Sequence, residues 1–282
     1  MRERLRSGGH RTQEEGQPNM KKALSIAGSD SGGGAGIQAD LKTFSAFGVH
    51  GSTVLTAVTA QNTVGVQEMF PLPIGLVRSQ IRSVMEDIGT DAAKTGMLAV
   101  PEIIEAVASA VREYRIPNLV VDPVMAAHRG DSLSSPGVVR SLEEHLLPLA
   151  DLLTPNIPEA EALTGLSIAG LDDMEKTARV LQGLGVKNVL IKGGHLKGDH
   201  IGCDLFWNGH EAVYLRAVRV FPGEIHGTGC TLSAAITAGL AKGMPLLRAI
   251  QAAKEFITRS IGAAYAVGRG FRTANPLLFR ED

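Results

Sequence analysis

The stretch Ala23-Leu24-Ser25-Ile26-Ala27 opens into Gly28-Ser29-Asp30-Ser31-Gly32-Gly33-Gly34-Ala35-Gly36, and residues 37–47 then run without a breaker to Gly48. A short apolar run, a glycine-rich turn and a segment of helical length make one strand–turn–helix unit. The unit repeats along the chain. Residues 54–59 read as a second strand, and residues 76–88 carry helical spacing at Leu76, Ile81, Val84, Met85 and Ile88. Ala92-Ala93-Lys94-Thr95 is a short strand, and Pro101, suited to the first position of a helix, leads Ile103, Ile104, Val107 and Val111 inward. Leu119-Val120-Val121-Asp122, Leu152-Leu153-Thr154 and Val189-Leu190-Ile191-Lys192 are further apolar runs, each ending in a polar residue. Strands alternating with helices predict an α/β fold with a mostly parallel sheet and helices on both faces. Ligands of such sheets bind beyond the carboxyl ends of the strands. That singles out residues 28–36, Gln61-Asn62, Gly96-Met97, Asp122, residues 156–159 and Gly193-Gly194-His195.

Towards the C-terminus, Glu224-Ile225-His226-Gly227-Thr228-Gly229-Cys230-Thr231 runs straight into a helix. Leu232, Ala235, Ile236, Gly239 and Leu240 share one face of it, and Lys242, Gly243 and Pro245 supply its stop. The first turn of a helix leaves backbone N–H groups unpaired, and glycines at 227 and 229 let that backbone approach a ligand closely. With the helix dipole these features predict an anion pocket, most naturally for phosphate. Cys230 stands at its mouth. A thiol at a helix N-terminus gives up its proton more readily than a free one, which makes Cys230 a candidate acceptor for a hydroxyl proton. The competing reading is a small buried residue in a tight turn.

With 282 residues, 44% of them apolar and 20% charged, the chain has the composition of a soluble globular protein with a substantial core. A net charge of -1 argues against a nucleic-acid partner, and no apolar run is long enough for a membrane span. The two cysteines, Cys203 and Cys230, offer neither a disulfide framework nor zinc spacing, which favours a reducing, cytoplasmic setting. Residues 1–19 are rich in Arg, Gly, Ser and Gln and lack the apolar core of a secretory signal; they read as a disordered extension ahead of one domain over residues 20–282.

The glycine-rich turn carries no Gly-Lys-Ser/Thr, which excludes a P-loop, and its glycines do not have dinucleotide-fingerprint spacing. A loop over a small substrate, with Asp40 one turn into the next helix as its polar anchor, stands against a flexible connection. Asp122, with Asn156 and Glu159, suits magnesium, a hard ion that keeps its waters and bridges phosphates; Asn156 and Glu159 equally spell a helix capping box. Lys192 is placed to meet a nucleotide phosphate or to lie solvated at its strand end. Residues 126–135, with His128, Arg129, Gly130 and Asp131, read as a lid beside Asp122 or as a plain surface loop.

Taken together, these motifs resemble the bacterial hydroxymethylpyrimidine kinase / phosphomethylpyrimidine kinase family, within the ribokinase-like superfamily. The likeness runs from about residue 21 to 275. It is carried by Leu24 to Asp30, Gly33 to Phe44, Thr59-Ala60-Gln61-Asn62-Thr63, Lys94-Thr95-Gly96-Met97-Leu98 and Val121-Asp122-Pro123-Val124-Met125. Thr154-Pro155-Asn156 with Pro158-Glu159-Ala160, Lys192-Gly193-Gly194-His195 and His226 to Thr231 complete it. The resemblance implies a three-layer α/β/α sandwich, ATP and Mg2+ as cofactors, a homodimer, and two successive phosphorylations of one pyrimidine. It implies a pyrimidine pocket lined by Gly28, Asp40, Gln61 and Met97, with Gln61 and Asp40 bonding the aminopyrimidine edge. It implies an anion hole of Gly227, Thr228, Gly229 and Cys230, a magnesium-associated pair Asp122 and Glu159, and a nucleotide side with Asn156, Lys192 and Thr228. The wider superfamily has Asp as general base where this chain has Cys230, so the division of labour between Cys230 and the anion hole stays open. The rival readings are a pyridoxal kinase on the same scaffold, disfavoured by the intact Gln61-Asn62-Thr63, and a non-catalytic pyrimidine sensor.

Overall fold

The structure is a computed structural model that describes residues 20–125, 135–196, 198–216 and 225–278. The N-terminal extension, nearly all of the lid segment and Glu224 lie outside the described residues. In chain order the elements begin with β1 (Lys22–Asp30), α1 (Gly36–Ala46), β2 (His50–Asn62), β3 (Gly65–Pro71) and α2 (Ile74–Asp87). Next come β4 (Ala92–Thr95), α3 (Pro101–Glu113), β5 (Leu119–Val121), α4 (Val138–Ser141) and β6 (Leu152–Leu153). After α5 (Ile157–Thr164), α6 (Leu171–Gly183) and β7 (Val189–Ile191) follow β8 (Asp204–Trp207) and β9 (Ala212–Leu215). The chain closes with β10 (Ile225–His226), α7 (Thr228–Ala241), α8 (Leu246–Gly262) and β11 (Arg272–Thr273).

Nine strands form one sheet in the order β3-β2-β1-β4-β5-β6-β7-β8-β9. The six from β2 to β7 are parallel; β3 pairs antiparallel with β2 at one edge, and at the other β8 pairs antiparallel with both β7 and β9. Both faces of the parallel part are buried, so its strands are apolar throughout and successive side chains go to opposite cores. Leu119 and Val121 of β5 join a core with α2, α3, α5 and α6, while Val120 joins one with α1, α7 and α8. Leu24 and Ile26 of β1 face the first core, and Ala23 faces the second. The result is the expected three-layer sandwich.

Two elements differ from their sequence reading. β2 runs to Asn62, well past residue 59, and turns back through β3, so Gln61 sits within the end of a strand and not in a loop. Helix α7 is buried on every side from Thr231 to Ala241, not along a single stripe. It packs against α1, α8, β1, β4 and β5. A helix apolar all round is one sealed inside a core, and this drives its N-terminus at the ends of the central strands. Lys242 and Gly243 (φ +80°) end it as expected.

Candidate active site

Helix α7 starts at Gly227, whose φ of +81° is left-handed and whose α-carbon presses against the Gly34 carbonyl oxygen. A side chain there would overlap that oxygen, so the turn before α7 and the glycine-rich turn after β1 meet through bare backbone. The glycine-rich turn is not a slack connection. Asp30, the last residue of β1, accepts hydrogen bonds from the backbone N–H groups of Gly32 (2.8 Å), Gly34 (3.0 Å) and Ala35 (2.8 Å), which fold the turn around its carboxylate. Burial opposes the charge on Asp30, but His226 and these amides outweigh it and hold its carboxyl below the usual range.

Beneath this junction lies a fully buried ion pair. Asp40 of α1 takes 2.8 Å from Lys94 Nζ on one oxygen and 2.6 Å from Ser25 Oγ on the other, and neither charged side chain reaches solvent. Ser25 and Lys94 are register partners on β1 and β4, so the sheet itself aligns donor and cation under α1. Asp40 was expected to line the substrate pocket; here each of its oxygens is engaged by a buried partner, Lys94 or Ser25. Burial raises the Asp40 carboxyl despite Lys94, whereas for Lys94 burial is outweighed by Asp40, Cys230 and Asp122, which raise it.

A second charged cluster faces the first turn of α7. Asp122, just past β5, is fully buried and accepts from Lys192 Nζ (2.8 Å), from Ser233 Oγ of α7 (3.1 Å) and, at 3.4 Å, from Thr154 Oγ1. Lys192 Nζ also stands 3.8 Å from Glu159 Oε2. Burial alone would raise Asp122, yet Lys192 and Lys94 hold it below its usual range. Glu159 is pushed up to about 7, mainly by burial, with Lys192 opposing and Asp122 adding to the rise. The capping-box reading of Asn156 and Glu159 holds. Asn156 Oδ1 accepts from the Glu159 N–H and Glu159 Oε2 from the Asn156 N–H, a complete capping box at the start of α5 that also turns the carboxylate towards Asp122. Burial is the main reason Glu159 is hard to ionise and the Asp122 charge adds to it, so two carboxylates sharing one ammonium leave room for more positive charge.

Cys230, in the first turn of α7, is half-buried. Burial, with the Asp40 and Asp122 charges adding to it, pushes the thiol up to about 11, although Lys94 and the Gly36 N–H favour the thiolate. Desolvation of the charged form is the largest of these effects. Gly229, one residue before, lies against Lys192 Nζ and faces Asp122.

The pocket residues gather on the other side. Met97, past β4, is buried, and its thioether methyl occupies the space that a side chain at Gly28 would need. Gln61 is half-buried, with its carboxamide against His226 and Thr59. Thus Gly28, Met97 and Gln61 come together with Gly227–Cys230, while Asp122, Asn156, Glu159 and Lys192 flank the same helix end from β5, β6 and β7. Sequence reasoning passed over Lys94, Ser233, Asp30 and His226 as site residues. A lysine inside Ala92-Ala93-Lys94-Thr95 was a legible signal, since a buried cation needs a partner.

The phosphomethylpyrimidine kinase family model matches residues 30–275. A hydroxymethylpyrimidine/phosphomethylpyrimidine kinase of Rhizobium meliloti is 51% identical over 251 residues, 88% of this chain and 94% of that protein. A thiamine biosynthesis bifunctional protein of Geobacter sulfurreducens is 49% identical over 92% of this chain, which spans only 53% of that longer protein. Among solved structures, a Bacillus subtilis pyridoxal kinase in complex with ADP matches with a TM-score of 0.85 at 40% identity, covering 92% of this chain and 98% of that one.

Proposed function

The chain belongs to the phosphomethylpyrimidine kinase family, and on that footing we propose that it uses ATP to phosphorylate 4-amino-5-hydroxymethyl-2-methylpyrimidine twice, in thiamine diphosphate biosynthesis. The first transfer goes to the hydroxymethyl oxygen and the second to the phosphate so formed. The observation that carries this reading is the seating of the Gly227–Cys230 turn, with Gly28, Gln61 and Met97 on one side and the Asp122–Lys192–Glu159 cluster on the other.

Each group has a part. The unpaired N–H groups at the start of α7 face the transferring phosphoryl group and steady the charge on its oxygens, which is where most of the rate enhancement of such reactions arises. Lys192 and Thr228 approach the nucleotide phosphates, and Asn156 fixes the Glu159 carboxylate. Asp122 and Glu159 fit Mg2+: a pair of carboxylates short of positive charge suits an ion that takes one or two protein ligands and completes its shell with phosphates and water. When bound, the ion would neutralise charge on the phosphates. Cys230 enters the cycle as a thiol; only its minor thiolate form can take the hydroxyl proton, so the anion hole carries the larger share. In the second transfer the acceptor is already ionised and needs no base.

The enzyme works in the cytoplasm as a homodimer. Phe70 (63% exposed), Val58, Val64, Ile74 and Leu76 form an apolar patch on and beside edge strand β3, a surface suited to a second copy. Among the described residues no helix is long and apolar enough to cross a membrane.

A second reading, a pyridoxal kinase, draws on the 40% identity to the Bacillus subtilis enzyme. Mass analysis of products after incubation with ATP, Mg2+ and the pyrimidine, with pyridoxal in parallel, separates the two. Monophosphate followed by diphosphate is the expected result. Phosphorylation of pyridoxal alone would overturn the substrate assignment.

A further inference from the structure

Gln61 Nε2 lies 3.1 Å from His226 Nε2, and Gln61 Oε1 lies 3.2 Å from Thr59 Oγ1. The same His226 Nε2 lies 3.1 Å from Asp30 Oδ2. An ionised carboxylate only accepts, so Nε2 must carry a hydrogen, and a ring nitrogen that carries one cannot accept from an amide NH2. Thr59 Oγ1 has a single hydrogen, already given to the Ser29 carbonyl at 2.9 Å, so it has none for Gln61 Oε1. Both contacts can be made if the carboxamide is turned over, its oxygen sharing the His226 Nε2–H with Asp30 Oδ2 in a three-centre hydrogen bond and its NH2 donating to Thr59 Oγ1. Oxygen and nitrogen of an amide have nearly the same shape, and the donor–acceptor network decides between them.

We propose that His226, held by Asp30, is a positioning residue that sets which way round the Gln61 carboxamide faces the substrate. It thereby selects a ring edge carrying an amino donor beside a nitrogen acceptor. This rests on the pyrimidine reading above. In the turned orientation the amide keeps one lone pair on oxygen and one hydrogen on nitrogen for a ligand. That pair complements an aminopyrimidine edge, as Gln complements adenine. It opposes the 4-oxo analogue, in which acceptor and donor change places.

The test compares kcat/KM for the first phosphorylation of the 4-amino substrate and of its 4-oxo analogue in wild type, His226→Leu, His226→Gln, Gln61→Ala and the Gln61→Ala/His226→Leu double variant. Freeing the amide to rotate should lower the amino-over-oxo ratio of His226→Leu by about tenfold or more, chiefly through KM. His226→Gln, which retains an N–H for Asp30, should recover part of it, and the double variant should discriminate no worse than Gln61→Ala. Equal losses on both substrates with an unchanged ratio would make His226 a structural support of the turn and overturn the proposal. A wild type that phosphorylates neither pyrimidine overturns the substrate reading and this proposal with it. If His226→Leu does not fold, 15N spectra of histidine-labelled wild type decide: a protonated Nε2 supports the assignment, and a bare one overturns it.

Discussion

Lys94→Met keeps most of the side-chain volume at β4 and removes the one charge that neutralises Asp40 inside the core. The pair is fully buried, 2.8 Å apart, and the second Asp40 oxygen has only the Ser25 hydroxyl. Taking one partner from a buried ion pair costs about 3–5 kcal/mol, because the other charge stays desolvated. The sign of the pH dependence follows. Asp40 already has its carboxyl raised by burial with Lys94 present, and without Lys94 it rises further. A carboxyl raised in the folded state binds its proton more tightly there than in the unfolded chain, so stability falls as pH climbs above the unfolded value of about 4. Asp40→Asn leaves Lys94 as the stranded charge; its pKa is then depressed by burial, and stability is lost as pH falls. Urea midpoints at pH 5 and pH 8, with the slope checked for constancy, read both trends. Lys94→Met should lose about 3–5 kcal/mol at pH 8 and less at pH 5, and Asp40→Asn should show the opposite slope. The double variant, with no buried charge, should regain at least half of the loss. A Lys94→Met protein within about 1 kcal/mol of wild type at pH 8 would refute the reasoning, as would a double variant weaker than both singles.

Cys230→Ala should slow the first phosphorylation by about 10²-fold and the second far less. Since the thiol sits near 11, the first-to-second rate ratio should climb with pH through neutrality in wild type and stay flat in the variant; equal losses in both steps would count against a proton-accepting role. Glu159, raised to about 7, is protonated below that pH, so apparent Mg2+ affinity should weaken as pH drops from 8 to 6. In Glu159→Gln, which keeps the capping box, Mg2+ affinity should be weak at every pH; an unchanged pH profile would remove Glu159 from the metal site. Gly227→Ala places a methyl group against the Gly34 carbonyl at a left-handed φ. It should cut both phosphorylations more than tenfold, roughly the cost of 1–3 kcal/mol of backbone strain, and lower the melting midpoint; wild-type rates would show that the two turns need not touch.

The layered fold was legible because the central strands announce themselves. Leu119-Val120-Val121 and Val189-Leu190-Ile191 are apolar at every position, the mark of strands covered on both faces. The edges were not. β3 has no buried residue and its Phe70 faces outward, so its pairing with β2 depends on a tight turn at residues 63–64 that no glycine–asparagine signal marks. The all-round burial of α7 was hidden for a related reason. Its sequence is rich in alanine, threonine and glycine, and small residues satisfy a one-sided stripe and a fully enclosed helix alike.

In the site, position was readable and neutralisation was not. The rule that ligands bind beyond strand ends picked out Asp122 and Met97 as candidates, with Lys192 beside Gly193-Gly194-His195, without any knowledge of their neighbours. It could not say that Lys192 would reach back to Asp122, 70 residues earlier, or that Asp40 would be consumed by Lys94, 54 residues later. Those pairings follow from strand order, with β4 beside β1 and β5 between β4 and β6. The raised Cys230 thiol has the same origin. A dipole is a local property that the Gly-Thr-Gly-Cys turn displays in sequence, whereas desolvation belongs to α7 being sealed among α1, α8 and the sheet. Local signals therefore marked the candidate positions, and long-range burial shifts the protonation of the groups that stand there. Glu159, raised to about 7, and Cys230, raised to about 11, are the two places where burial moves a group furthest from its ordinary protonation range around this helix end.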